Sequence, residues 1–260
     1  FRARDMAVGG EGAPLAPYAH YMLLRDLNRT RLVVNLGGIS NVTVLAKGAG
    51  LDLVQAFDTG PANMVLDGLI QQMTKGRLSM DRQGVMARSG RVDAALLNEL
   101  LRHPYLRRHP PKSTGREEFG AEFVARIRAV QKRRKLADRD VMATCARFTA
   151  ECIGKARRWL PGEIDEVIVG GGGVRNRAVM GHLAQVLAPA PVRTLDEVGW
   201  SSKAFEAVAF AILAYQTVHG KPNNVPSVTG ARSAVVLGHL VPGTPESILR
   251  LLHRLGTPER

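Results

Sequence analysis

An apolar run, Ile164–Val169, passes directly into four consecutive glycines, Gly170–Gly173, and then into the helical pattern of Asn176–Leu187. Glycine loses more conformational freedom on ordering than any other residue, so four in a row mark a place where side chains do not fit. Strand, glycine turn and helix in that order bring backbone N–H groups and a positive helix end to one point, which suits an anion. The turn matches neither GxxxxGK[ST] nor GxGxxG, so P-loop and dinucleotide readings are weak. A second pair, Gly37-Gly38, lies between the β-branched runs Leu32–Asn35 and Val42–Leu45, which predict a hairpin. With Asn35, Ser40 and Asn41 beside it, this hairpin suits a phosphate held from the side; alone it reads first as a tight turn.

The remaining pattern alternates strands and helices, which places the chain in the α/β class. Leu51–Phe57 predicts a strand ended by Asp58-Thr59-Gly60-Pro61, with a proline-started helix over Ala62–Met73. Helices are expected over Arg91–Leu101, Arg116–Arg134, Asp138–Leu160 and Ser201–His219, and a strand over Val192–Leu195. Tyr105–Gly115 reads as a basic, proline-rich loop, and Lys221 onward as loop until a helical tail at Glu246–Leu255. Asp58 has two readings: a carboxylate for a Mg²⁺–phosphate or a sugar hydroxyl, or, with Thr59, a helix N-cap.

Net charge is +13, from 36 Lys and Arg against 23 Asp and Glu, yet aromatics are only 5% and no cationic tail occurs. That describes an arginine-rich solvated surface, and no nucleic-acid partner is expected. Cys145 and Cys152, seven apart on one predicted helix, lie about 10 Å apart along it, too far for a disulfide. Reduced core thiols point to a cytoplasmic protein. No His/Cys cluster has metal-ligand spacing, so no protein-only metal site is expected. No apolar run approaches the roughly 20 residues of a membrane span, and no membrane partner is expected.

Taken together, the motifs resemble a known family. Asn35–Asn41 with Val42-Thr43, Phe57–Asn63, Lys112–Glu117, Gly170–Asn176, Glu206–Phe210 and Asn224–Gly230 occur in the order found in anhydro-N-acetylmuramic acid kinases. Phe1–Asp5 and Gly9–Pro14 are similar to the same family, and the resemblance runs from residue 1 to about Pro242. It implies an actin-like ATPase (ribonuclease H-like) fold: two lobes with nucleotide between them, the first lobe incomplete here. Residues 1–30 would be the remainder of the N-terminal lobe, 31–242 the C-terminal lobe and 243–260 a tail.

The activity implied is phosphorylation of 1,6-anhydro-N-acetylmuramic acid by ATP with Mg²⁺, with hydrolysis of the anhydro bond. The product is N-acetylmuramic acid 6-phosphate, used in cell-wall recycling. Carried over residue by residue, Asp5 matches the catalytic base. Asn35, Gly37, Gly38, Ser40, Asn41, Asp58, Thr59 and Gly60 match phosphate-side positions, and Gly170, Gly171, Gly172, Gly173 and Asn176 the adenosine loop. Asn63, Arg116 and Glu206 are the expected sugar contacts, and the full-length protein is expected to be a homodimer. The family's preceding Gly-Thr-Ser-x-Asp-Gly loop is not among these residues, which open on Phe1. The expectation is therefore a C-terminal portion, inactive or weakly active alone. Ala62 stands where the family has glycine, and Ser201–Phe205 departs from its pattern, which leaves open a different amino-sugar substrate or a non-catalytic binding role.

Overall fold

The computed structural model describes residues 1–160, 162–241, 243–244, 246–247, 250 and 253. Five strands, β1 (Arg31–Leu36), β2 (Ile39–Leu45), β3 (Gln55–Pro61), β4 (Glu166–Gly170) and β5 (Val192–Thr194), form one sheet in the order β3-β2-β1-β4-β5. The β2 strand is antiparallel to β1 and β3, while β1, β4 and β5 run parallel. This mixed sheet is the ribonuclease H-like arrangement of the actin-like ATPases, as the resemblance implied.

Eleven helices occur among the described residues: α1 (Arg2–Ala7), α2 (Ala16–Leu24), α3 (Asn63–Met73), α4 (Val85–Ser89), α5 (Ala94–Leu100), α6 (Arg116–Phe119), α7 (Ala121–Arg134), α8 (Asp138–Gly154), α9 (Arg177–Leu187), α10 (Phe205–Val218) and α11 (Pro226–Thr229). The chain divides into two compact units. One is Leu24–Phe205, which contains the whole sheet; the other joins Phe1–Leu23 to the described part of Glu206–Arg260.

The core of the sheet unit lies on the face carrying Leu32, Val34, Val42, Val44, Phe57, Val167 and Val169. Helix α8 is its centre, touching α3, α4, α5, α9, β2 and β3. Its first turn carries Asp138 and Asp140, which complement the positive helix end. Both cysteines sit on α8, buried and unpaired by a disulfide. Burial pushes the Cys145 thiol up to about 12 and the Cys152 thiol upward too, so neither is reactive at neutral pH.

Several boundaries differ from the sequence reading, each for a steric or topological reason. The expected strand Leu51–Phe57 starts with a 3-10 turn at Leu51–Leu53, and β3 then continues through Asp58–Pro61. Asp58 and Thr59 are therefore strand residues and cap no helix; the N-cap of α3 is Ala62. The single helix expected over Arg116–Arg134 breaks at Gly120, whose Cβ would sit 2.2 Å from the Arg116 carbonyl. Helix α8 ends at Gly154, where a Cβ would lie 2.2 Å from Val186 of α9, and a 3-10 turn follows at Lys155–Trp159. Helices α1 and α2 lie where no element is expected from the sequence, and α11 interrupts the stretch expected to be loop. Of the helix expected over Glu246–Leu255, and of the 243–260 tail, most positions lie outside the described residues.

Candidate nucleotide site and buried carboxylate

Strand register builds the site. Asn35 pairs with Asn41, Asn41 with Asp58, and Asn35 with Gly170 on the other side. Cross-strand partners project from the same face of a sheet, so Asp58, Asn41 and Asn35 form one polar row that ends at the first glycine of the turn. All three are partly exposed, whereas their neighbours Val34, Val42 and Phe57 are buried in the core. Because β1, β3 and β4 run in one direction, the row lies toward their C-terminal ends, where open α/β sheets bind ligands.

The two glycine turns touch. Gly171, at φ +84°, sits so close to β1 that a Cβ would lie 2.5 Å from Asn35 Oδ1 and 2.7 Å from the Leu36 carbonyl. A Cβ on Gly173 would meet Leu36 Cβ at 2.6 Å and Asn63 Oδ1 at 3.1 Å. At Gly170 it would strike Leu195 at 2.5 Å. Gly172 differs, because a Cβ there would meet nothing within 4 Å. Gly171 and Gly173 are thus demanded by the fold, Gly170 is crowded only by a Leu195 methyl, and Gly172 leaves an open surface.

The hairpin tip is fastened to α3. The Gly38 carbonyl accepts from the amides of Ala62 (3.0 Å) and Met64 (3.1 Å), and the Gly37 carbonyl from Asn63 (3.0 Å). Asn63 Nδ2 also donates to the Leu36 carbonyl at 3.1 Å. The first amides of α3 are therefore engaged by the hairpin and are not aimed at an anion. Asn176 is likewise engaged: its Oδ1 accepts from Ala178 and Val179, capping α9. Ser40 and Thr59 are buried and bonded to each other at 2.6 Å, and the Ser40 hydroxyl also donates to the Gly60 carbonyl. This link spans the bulge where β2 and β3 shift register.

The basic loop reaches the row at Asp58. Thr114 N donates to Asp58 Oδ2 at 2.9 Å, Tyr105 Oη to the Asp58 carbonyl at 2.8 Å, and Asp58 N to the Lys112 carbonyl at 3.1 Å. Burial raises the Asp58 carboxyl above the usual carboxylate range, and the Glu117 charge adds to this against the opposing Thr114 amide and Lys112. The buried Thr114 hydroxyl has no partner among the described residues. No group of three or more His, Cys, Asp or Glu that could hold a metal occurs among the described residues. A nucleotide-bound Mg²⁺ needs only one or two carboxylates beside phosphate and water, so the half-buried Asp58 fits that requirement. Arg116 is exposed at the start of α6.

In the second unit, Asp5 is fully buried and meets three donors. Asn224 Nδ2 and the Thr229 hydroxyl each donate to Oδ1 at 2.8 Å, and Gly12 N donates to Oδ2 at 2.8 Å. Glu206 is exposed in the first turn of α10. Sequence reasoning singled out the Asn224–Gly230 motif without assigning Asn224 or Thr229 a partner; only the fold brings them to Asp5. Tyr105 was seen only as a loop residue, and Thr114 only as a member of the Lys112–Glu117 motif.

The family model described as anhydro-N-acetylmuramic acid kinase matches residues 1–243. Relatives of that name include those of Gloeobacter violaceus (48% identical, over 93% of this chain and 63% of the relative) and Salinibacter ruber (45%, 94% and 62%). That of Caldanaerobacter subterraneus subsp. tengcongensis is 41% identical, over 92% of this chain and 61% of the relative. The chain thus spans a little over three fifths of the curated relatives it matches. Among solved structures, component A of the Acidaminococcus fermentans (R)-2-hydroxyglutaryl-CoA dehydratase is 19% identical with a TM-score of 0.45, covering 75% of this chain and 64% of that one. The ADPNP-bound activator of the 2-hydroxyisocaproyl-CoA dehydratase from Clostridium difficile is 13% identical with a TM-score of 0.46, covering 77% and 68%. On the family match over nearly its whole length, the chain belongs to the anhydro-N-acetylmuramic acid kinases.

Proposed function

We propose that this protein serves the ATP-dependent phosphorylation of 1,6-anhydro-N-acetylmuramic acid, with hydrolytic opening of the anhydro ring. The observation that carries the reading is the single polar row Asp58–Asn41–Asn35 running into the open Gly172 turn. In this reading the adenosine lies over Gly172, where no side chain obstructs it, and the phosphates extend along the row toward Asp58. Asn35 and Asn41 are neutral donors to phosphate oxygens, and Asp58 faces the Mg²⁺ that accompanies the nucleotide. When bound, that ion offsets negative charge on the transferring phosphoryl group.

Ser40, Thr59 and Asn176 act indirectly, by fixing the bulge and the helix start that aim the two turns. Asp5 is the general base, taking a proton from the water that attacks the anomeric carbon while the ring oxygen O6 accepts the phosphoryl group. Arg116, Asn63 and Glu206 are proposed sugar contacts. A cytoplasmic location and a homodimer of the longer protein belong to the same proposal.

The test is nuclear magnetic resonance of the 260-residue chain titrated with Mg²⁺–ATP, followed by incubation with the anhydro sugar. Shifts concentrated at residues 35–41, 58 and 170–173 are expected, with little or no 6-phosphorylated N-acetylmuramic acid from this chain alone and that product once the family's preceding Gly-Thr-Ser-x-Asp-Gly segment is joined to it. Shifts confined to other surfaces overturn the nucleotide assignment, and ATP bound at the row of the chain joined to that preceding segment, without any sugar product, overturns the reaction.

A further inference from the structure

We propose that Asn224 and Thr229 are positioning residues that leave one oxygen of Asp5, Oδ2, as its only proton-accepting atom. The inference rests on the reading of Asp5 as the general base, but its geometry stands on its own.

An ionised carboxylate offers about four acceptor positions, two on each oxygen. Both positions on Oδ1 are filled, by Asn224 Nδ2 and the Thr229 hydroxyl, each at 2.8 Å. One position on Oδ2 is filled by Gly12 N at 2.8 Å. A single acceptor position therefore remains, on Oδ2. A Cβ on Gly10 would sit 2.2 Å from Oδ2, so glycine at that position keeps this oxygen uncrowded.

The two donors are themselves held. Asn224 Oδ1 accepts from Val235 N at 2.8 Å, and its Nδ2 also donates to the Ser233 carbonyl at 3.1 Å. The amide can therefore face Asp5 only with its NH₂ group. Thr229 is the last residue of α11, which starts at Pro226 and is capped by Gly230 in the left-handed conformation, so the hydroxyl is presented from a closed turn. The nearby charged side chains are directed elsewhere. Arg2 Nε donates to the Gly12 carbonyl at 3.1 Å and Arg4 Nη1 to the Val236 carbonyl at 3.0 Å. No ion pair to Asp5 occurs among the described residues, so neutral donors alone orient it.

The chemistry requires this. A base whose two oxygens compete for water samples several proton-transfer directions, whereas a carboxylate with one open acceptor position has a fixed one.

The test reads the Asp5 carboxylate carbon by nuclear magnetic resonance at neutral pH, without substrate. Thr229→Val and Asn224→Ala are expected to move that resonance, and Thr229→Ser to retain the original position. In the unmutated chain, a scalar coupling across the Asn224 Nδ2–Asp5 bond gives the same information should a variant fail to fold. In the phosphorylation assay, run on the chain joined to the family's preceding Gly-Thr-Ser-x-Asp-Gly segment, Thr229→Val should lower kcat by roughly tenfold or more with KM for ATP unchanged, and Thr229→Ser should restore it. An unmoved resonance together with no coupling overturns the proposal. So does a moved resonance with unchanged kcat, which would make the two donors fasteners of the fold alone. No turnover at all by that longer chain counts against the proposed reaction, while the resonance and the coupling still decide the positioning.

Discussion

At Gly172 the fold makes no steric demand, and this separates ligand from scaffold within a single tetraglycine. Gly172→Ala should change unfolding free energy by no more than about 1 kcal/mol, since glycine-to-alanine at an unstrained position costs the folded state little. Nucleotide affinity should fall, because the new methyl occupies the surface assigned to adenosine. Gly171→Ala, at φ +84° and against the Leu36 carbonyl, should instead cost about 1–3 kcal/mol of stability. Chemical denaturation and ATP titration of both variants check the pair; equal destabilisation would remove Gly172 from the site. Asp58 poses a second contrast. Its carboxyl is raised by burial, so the native state binds that proton more tightly than the unfolded chain does. Stability from this group therefore declines as pH rises from the ordinary carboxylate range through the raised value, and the neutral-pH fold carries an unfavourable charge. Asp58→Asn should raise the melting temperature at pH 7 and abolish any Mg²⁺-dependent strengthening of ATP binding. A lowered melting temperature would contradict this account of Asp58.

Elements carry the stability that holds these residues in register. Glu166 opens β4 nearly fully buried, paired with Arg31 Nε at 2.8 Å and Arg193 Nη1 at 3.1 Å, with Arg29 Nη1 at 3.6 Å. It thereby ties β4 to β1 and β5, and Asn35–Gly170 sits four residues further along the same ladder. Arg29 and Arg193 are half exposed and Arg31 also pairs with Asp26 at 3.0 Å, so none is stranded without Glu166, and Glu166→Ala should cost about 1–3 kcal/mol, read by urea denaturation. A loss below 1 kcal/mol would show that solvent screens the cluster. The strand Ile164–Val169 and its glycines were legible because an apolar run and a tetraglycine have few other uses. The end of β3 was not legible: Asp58-Thr59-Gly60-Pro61 has turn composition, and only pairing to β2 with a bulge keeps it extended. The split between α6 and α7 was equally hidden, since one glycine in a periodic helix is normally tolerated. The glycine turns were legible singly, but their contact depends on parallel pairing across 135 residues of sequence. Asp5 was legible only through family resemblance, because nothing local marks residues 224 and 229 as its partners.

At the scale of the molecule, acid is the sensitive axis. His20, fully buried in α2, is held down to about 4 by burial and stays neutral in the native state. The unfolded chain protonates it near 6.5, so its contribution is present above 6.5 and is lost as pH falls toward 4. The span corresponds to roughly 3 kcal/mol, and His20→Gln should flatten that part of a stability–pH profile measured by denaturant melts. An unchanged slope between pH 6.5 and 4 would assign the acid sensitivity elsewhere. No helix among the described residues is long and apolar enough to cross a membrane.

The unit holding Asp5 is assembled from both ends of the described chain. Asp5 lies 219 residues before Asn224 and 224 before Thr229. At about 5–20 residues per second of translation, the carboxylate waits on the order of 10–45 s for its donors to be synthesised. By the end of that interval the sheet unit, Leu24–Phe205, has been synthesised, while α1 and α2 have until then had nothing of their C-terminal partners to fold upon. The order of synthesis therefore makes the nucleotide row the early product of biogenesis and the Asp5 cradle its last, so ribosome-stalled chains ending before residue 224 should present the one without the other.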